Sequence, residues 1–396
     1  MRLIAFVLPL LLLGGCHFST GDDDKSNDET SARAPAEKPA ADPLASHDHD
    51  PQAQQIPDAQ PRPLMQAQVV LDRLGFTPGV VDGKAGLSTR NAIGGFQEAT
   101  GLNVSGELDT ATLKALERWN DIPATRVVTI PADFAAGPFQ PKPADPAEQA
   151  KLPALGYESL DEKLAERFHT TIATLQELNP GGVPAGSPAP AGVRAPSPAP
   201  SPSEAAATGD AKPVAVPLFH AGQQIRVPNV GGDVIEPGSI DDPAWAQTLA
   251  MLGVGSRQPQ AADIVVSKSK GTLKAFDQDG KLIAVYTATM GSSHDPLPLG
   301  DWKIQGISRN PKFHYNPALF WDAKPGSDKA LLPAGPNGPV GVVWIDLNKP
   351  HYGIHGTPRP ETIGRAESHG CVRLTNWDAA RLAQMVSART KVKFES

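Results

Sequence analysis

The sequence predicts a multidomain chain: a mostly-β C-terminal domain with one late helix, a small three-helix domain and a small α+β domain, joined by disordered linkers. Three observations carry that prediction. Apolar residues recur at helical spacing between residues 62 and 118, reappear as short alternating strands from Ala262 onward, and are sparse in the Ala-, Pro- and Asp-rich stretches between. A length of 396 residues accommodates two or three domains, and 41 prolines mark much of it as linker. A net charge of −7 with no polybasic patch argues against nucleic acid as a partner.

Arg2 precedes an apolar run from Leu3 to Leu13, the positive and hydrophobic regions of an export signal, too short to span a bilayer stably. It ends in Leu13-Gly14-Gly15-Cys16, which resembles a bacterial lipobox, whose cysteine becomes the acylated first residue. Residues 1–16 are therefore read as a lipoprotein signal peptide, with an ordinary cleaved signal as the alternative. The resemblance implies a periplasmic protein tied to a membrane by lipid on Cys16. His17, in place of the usual aspartate cue for inner-membrane retention, favours the outer membrane. Residues 17–61 have almost no large apolar side chains and read as a disordered tether, its His47-Asp48-His49-Asp50 run being solvated linker rather than a metal site.

In residues 62–120, Met65, Val69, Val70 and Leu74 fall on one helical face before Gly75-Phe76 and Val81-Asp82-Gly83 introduce turns. A second helix carries Ala92, Ile93 and Phe96-Gln97, and a third begins at Thr110 after Gly106-Glu-Leu108-Asp109. These landmarks, in this order, resemble the peptidoglycan-binding type 1 module. The resemblance implies a glycan partner, although turn glycines, caps and core residues would be needed simply to fold.

Residues 121–150 read as linker. In 151–230, Leu155-Gly156-Tyr157, Leu160, Leu164 and Phe168, then Leu175 and Leu178, imply two short amphipathic helices, and Ile225-Arg-Val227 a closing strand after a Pro/Ala-rich insertion at 181–217. The set resembles a divergent lysin-motif domain, a βααβ glycan binder, with Glu158-Ser159 where Gly-Asp is usual and no legible opening strand. An α-rich spacer that binds nothing is the other reading. Residues 231–261 read as a second linker.

Residues 262–396 read as the mostly-β domain: Ile264-Val265-Val266, Leu273 to Phe276, an Asp279-Gly280 turn, Leu282 to Tyr286, then strands around Trp302, Val342 to Leu347 and Tyr352 to His355. A late helix from Asn376, with Asn376 as its cap and Asp378 in the first turn, follows Ser368-His369-Gly370-Cys371. With Cys16 acylated, Cys371 is the one remaining thiol and has no disulfide partner. Thiol acyl transfer needs a thiolate, a base and oxyanion donors. Cys371 supplies the sulfur, His355 at a strand end the base, and the backbone at Gly370 and Cys371 the donors, with His369 and Arg373 favouring the thiolate. A structural cysteine and a zinc site of His351, His355, His369 and Cys371 are the competing readings.

His355-Gly-Thr, Ile363-Gly-Arg and Ser368-His-Gly-Cys371-Val-Arg-Leu, with Pro298-Leu-Gly300, resemble the signature of the L,D-transpeptidase catalytic-domain family over about residues 262 to 394. The resemblance implies a β-sandwich, Cys371 as nucleophile, His355 as proton acceptor and donor, and the Gly356 carbonyl orienting His355. It implies no cofactor and no metal. Arg373 stands where some members have asparagine; it either packs against Asp378 or holds a substrate carboxylate. Ser368, Tyr352 and Trp344 are assigned with Arg373 to substrate binding, and Gly370 to the oxyanion hole, supported by His369. The aromatics Phe313, Tyr315, Phe320 and Trp321, together with Gly335 to Pro339, form either a lid or core filling.

The expected activity is ping-pong transfer between peptidoglycan tetrapeptide stems. It forms diaminopimelate–diaminopimelate cross-links and releases D-alanine, the accessory domains and anchor raising local substrate concentration by tethering. The alternatives are an L,D-carboxypeptidase or hydrolase, a transferase attaching an outer-membrane protein to the wall, and a non-catalytic wall-binding lipoprotein.

Overall fold

The structure, a computed structural model, describes residues 56–187, 217–231, 234–321, 323 and 326–396. Cys16, the signal peptide, nearly all of the expected tether with its His47–Asp50 run, and most of the 181–217 insertion lie outside the described residues.

Pro63 opens helix α1 (Pro63–Arg73) at a position where its missing N–H costs nothing. Strand β1 (Phe76–Thr77), α2 (Leu87–Ala99) and α3 (Thr110–Leu116) follow, α3 capped by Asp109, whose carboxylate accepts from the Thr112 amide at 2.8 Å. Two buried glutamines hold the turns. Gln68 Oε1 accepts from the Gly83 amide at 2.7 Å, and Gln97 Oε1 from the Gly106 amide at 2.8 Å while its Nε2 donates to Thr112 Oγ1 at 2.8 Å. Phe76, Ala92, Ile93, Phe96 and Trp119 form the core of this module.

The segment expected as a 121–150 linker holds β2 (Thr125–Thr129), α4 (Ala132–Ala135) and α5 (Pro146–Gln149). After α6 (Leu160–Arg167) and α7 (Ile172–Leu178), β3 (Gln224–Pro228) pairs antiparallel with β2, Val127 opposite Arg226. The strand missing from the sequence reading thus lies upstream of residue 151. The element order β2, α6, α7, β3 includes strand, two helices and strand, with Leu164, Phe168, Leu175, Leu178, Ile225 and Val227 in one core. Ser159 and Thr171 cap the two helices. The second expected linker, 231–261, is corrected as well: α8 (Pro243–Leu252) occupies it, and its fully buried Trp245, Leu249 and Leu252 belong to the C-terminal core.

Strands β4 (Asp263–Ser267), β5 (Thr272–Phe276) and β6 (Leu282–Thr287) form an antiparallel meander. β7 (Thr289–Met290), β8 (Gly300–Arg309), β9 (Phe313–Tyr315), β10 (Ala330–Leu332), β11 (Val343–Leu347), β12 (Gly353–His355), β13 (Val372–Arg373), α9 (Asn376–Met385) and β14 (Lys391–Glu395) complete the chain. The main sheet runs β1-β6-β5-β4-β14-β8-β11-β12-β13-β7, while, among the described residues, β9 and β10 pair only with each other. β8 belongs to both halves, its first residues pairing with β14 and its later ones with β11. One core fills the domain: Ile264, Leu273, Tyr286, Ile304, Ile345, Ile354, Val372 and Phe394 from the strands, Trp377 and Leu382 from α9. The cap of α9 is Thr375, which accepts from the Asp378 amide at 3.1 Å; Asn376, expected as the cap, is the first helical residue.

The modules are not joined as separate bodies on loose linkers. β1 of the first module extends the C-terminal sheet by pairing parallel with β6, Phe76 beside Val285 and Thr77 beside Tyr286. α2 lies so close to β6 that a Cβ on Gly95 would sit 2.6 Å from Val285 Cγ2. At the meeting point of all three modules, Arg381 of α9 donates two hydrogen bonds to Asp72 of α1, at 3.0 and 2.8 Å. His169 Nδ1 lies 3.2 Å from the same carboxylate, and its ring stacks on Trp377 with centroids 4.8 Å apart. Burial works to raise the Asp72 carboxyl, and the charges of Arg381 and His169 overcome it, holding it well below the usual range.

Candidate active site

Alternation along β12 and β13 decides which side chains meet. Parallel register sets Ile354 beside Val372 and His355 beside Arg373. Ile354 and Val372 point into the core, so His355 and Arg373 point to the opposite face. Cys371 immediately precedes β13, and its sulfur lies by the His351 carbonyl and the Gly353 amide at the start of β12. Antiparallel pairing puts Trp344 directly opposite His355 on the same face, their rings stacked at 5.5 Å. The strand pattern, rather than sequence proximity, brings residues 344, 355 and 373 together, with Cys371 at the entry to β13.

His355 is 4% exposed. Its Nδ1 lies 2.7 Å from the Gly356 carbonyl oxygen. A carbonyl only accepts, so Nδ1 carries the hydrogen and Nε2 is left with its lone pair. Burial, with Arg373 adding to it, lowers the imidazole to about 3 against the opposing hydrogen bond to Gly356. Cys371 is half-buried, and its thiol donates to the His351 carbonyl at 3.6 Å. Burial pushes that thiol up to about 11, outweighing the Gly353 amide and Arg373, which favour the thiolate; Asp295 opposes them. The resting pair is therefore neutral thiol and neutral imidazole. Arg373 favours the thiolate as expected, but desolvation is the larger effect and keeps the thiol protonated.

Gly370 has φ +91°, and a Cβ there would lie 2.6 Å from Tyr352 Cε1. The turn before Cys371 therefore admits only glycine. Tyr352 walls this turn, with the Lys349 ammonium 4.6 Å over its ring. Ser368, expected to contact substrate, is 2% exposed; its Oγ donates to the Cys371 carbonyl at 2.6 Å and accepts from the Gly291 amide at 2.6 Å. It shapes the cysteine loop instead. Arg373 does not reach Asp378: its guanidinium donates to the Glu367 carbonyl at 3.2 Å and lies 3.4 Å from His369 Nδ1. Asp378 faces Thr77 Oγ1 at 3.0 Å on the core side of α9. Trp344 supports the His355 ring, its Nε1 donating to Asp346 at 3.1 Å.

The aromatic segment does not fill the core. Phe320 and Trp321 pack on His369, with centroids 5.0 and 5.6 Å away; His294 stacks on Trp321 at 4.5 Å, and Trp321 remains 55% exposed. Phe320 and Trp321, in the connection between β9 and β10, thus border the cysteine loop. Gly335 to Pro339 is no part of that border. The Leu155 amide donates to the Ala334 carbonyl at 2.9 Å, and Asn337 donates to Gly156 and Glu162 at 2.9 Å each, fastening this loop to the segment before α6. Among the described residues no three His, Cys, Asp or Glu side chains gather as a metal site.

Sequence reasoning missed Asp295, whose charge raises both Cys371 and Tyr352. Its turn, closed by the Ser292 amide on the Asp295 carbonyl at 2.8 Å, carries no motif that would have flagged it. Asn376 was misread as a helix cap, although its place five residues after Cys371 was visible.

The family model described as the L,D-transpeptidase catalytic domain matches residues 261–394, and that described as a peptidoglycan binding domain matches 62–116. YkuD of Bacillus subtilis, an L,D-transpeptidase by name, is 51% identical over 146 residues, 37% of this chain and 73% of that protein. YkuD of Bacillus licheniformis is 31% identical over the same shares. A crystal structure of L,D-transpeptidase 3 from Mycobacterium tuberculosis with a faropenem-derived adduct is 20% identical. It covers 34% of this chain and 60% of that one, with a TM-score of 0.29. The catalytic-domain model spans Trp344, His355 and Cys371, and on the likeness to YkuD the chain belongs to the L,D-transpeptidase family.

Proposed function

We propose that the protein joins diaminopimelate residues of neighbouring peptidoglycan stems through a thioester on Cys371. The observation that carries this reading is the Nδ1 bond to Gly356, which leaves Nε2 of a neutral His355 free to take a proton, on a strand paired with the one that Cys371 immediately precedes. In the first half-reaction the Cys371 sulfur attacks the carbonyl carbon between diaminopimelate and D-alanine. The thiol proton passes to His355 Nε2, the amides of Gly370 and Cys371 hold the oxyanion, and the C–N bond breaks as His355 protonates the departing D-alanine amine. In the second, a side-chain amine of another stem attacks the thioester, its proton passes to His355, and the thiol is restored. Because the resting pair is neutral, proton transfer accompanies attack rather than preceding it.

The peptidoglycan binding module supports the same polymer as partner. The lipobox-like Leu13 to Cys16 supports anchoring in the periplasm, at the outer membrane, and Cys16→Ser tests this by detergent partitioning. The 125–228 segment is proposed as a second glycan contact on the βααβ order among its elements. Incubation with tetrapeptide-bearing muropeptides, read by mass spectrometry, tests the activity: a dimer lacking one D-alanine is expected. Tripeptide monomer alone would make the protein an L,D-carboxypeptidase, and untouched tetrapeptide would refute both. Release of D-alanine with an outer-membrane protein joined to the wall would identify that protein as the acceptor.

A further inference from the structure

The Asn376 carboxamide points away from α9 into a slot walled by Gly341 and Gly356. A Cβ on either glycine would collide with Asn376 Oδ1. Within the slot, Oδ1 accepts from the Val342 amide at 3.3 Å, while Nδ2 donates to the Pro336 carbonyl at 3.1 Å and to the Glu166 carboxylate at 2.8 Å. Only this orientation gives each end of the amide a partner of the opposite kind. Gly356 is the residue whose carbonyl holds His355 Nδ1. Glu166 comes from α6, 210 residues earlier, on the lysin-motif-like segment.

We infer that Asn376 is a positioning residue for His355, seating the Gly356 turn, and that Glu166 of the accessory segment locks Asn376 in that role. The inference rests on the reading of His355 as the proton carrier. A seated turn fixes the carbonyl that selects the Nδ1–H tautomer, so Nε2 always keeps its lone pair. With the lock removed, the amide can turn over, the Val342 amide loses its acceptor and the imidazole loses its fixed direction. Docking of the accessory segment thereby becomes a condition for full turnover, in addition to any grip it has on glycan.

The test compares Glu166→Ala and Glu166→Gln in the full chain by three measurements: alkylation of Cys371 by iodoacetamide across pH, kcat and KM on tetrapeptide stems, and denaturant unfolding. Glu166→Ala is expected to lower kcat and the alkylation rate about tenfold with KM within about twofold. Glu166→Gln, whose amide oxygen still accepts from Asn376, is expected to recover to within about twofold. Loss of stability with kcat and alkylation unchanged would overturn the inference, as would a glutamine variant as impaired as the alanine one. Should Glu166→Ala fail to fold, a swap carries the test: Asn376→Asp alone is impaired, and Glu166→Gln added to it restores a donor–acceptor pair and part of the rate. Absence of recovery would overturn the inference equally. Alkylation needs no peptidoglycan, so altered thiol reactivity beside a wild type that releases no D-alanine would refute the proposed activity and leave the positioning role standing.

Discussion

At the scale of single residues, burial keeps the Cys371 thiol protonated and the His355 imidazole neutral. With the imidazole lowered to about 3 and the thiol raised to about 11, alkylation of Cys371 should climb steadily from pH 6 to 9 with no plateau. A flat profile beginning near pH 5 would indicate a preformed ion pair instead. The same shift gives stability a sign. Unfolded His355 binds a proton near pH 6.5 and the folded ring only near 3, so between these values the unfolded state carries the extra proton. Folding therefore weakens as pH falls through that window, and His355→Gln should lose less stability there in acid denaturation. Gly370→Ala introduces both a left-handed alanine and a contact with Tyr352; a cost of about 1–3 kcal/mol in denaturant unfolding is expected, with loss of turnover. These residues were legible because the motif encodes a local turn: a glycine that must be glycine beside a thiol. Asp295 and the true task of Asn376 were not, since each acts through contacts between segments distant in sequence.

Among the elements, β4, β5, β6, β8, β11 and β12 were readable from their apolar strand runs, though the short β7, β9 and β10 were not, and the helices of the first module from their spacing, because each period reports one buried face. β2 escaped for a physical reason. Five residues long, it takes its partner β3 from about a hundred residues further on, across the Pro/Ala-rich insertion, so nothing local distinguishes it from linker. α8 escaped because it follows a Pro- and Gly-rich stretch, and its aromatic anchor, Trp245, is explained only by a core assembled from the later strands. The contact of α2 with β6 yields a direct test. Gly95→Ala should destabilise by about 1–3 kcal/mol, the range for overpacking, and Val285→Ala in that background should recover part of it, read by denaturant midpoints.

For the whole molecule, the decisive contacts are those between modules. Asp72→Asn removes the carboxylate that Arg381 bonds twice and leaves its buried charge with only the Asp378 carboxyl 3.7 Å away; a loss of up to about 3–5 kcal/mol is expected. Wild-type Asp72 contributes stability above the unfolded carboxyl value and loses it as pH falls below that value, so the gap between the two proteins should narrow in acid. Calorimetry should find one cooperative transition for the three modules together, where independent beads would give separate ones. The β1–β6 pairing has a mechanical consequence. A module on a leash lets its catalyst search a sphere around the point of attachment, but a module that supplies a strand to the catalytic sheet makes the molecule a caliper. The span from the first module to the Cys371 sulfur is set when the chain folds, and under the proposed cross-linking activity the spacing of glycan strands would, as much as their chemistry, select which stems are linked.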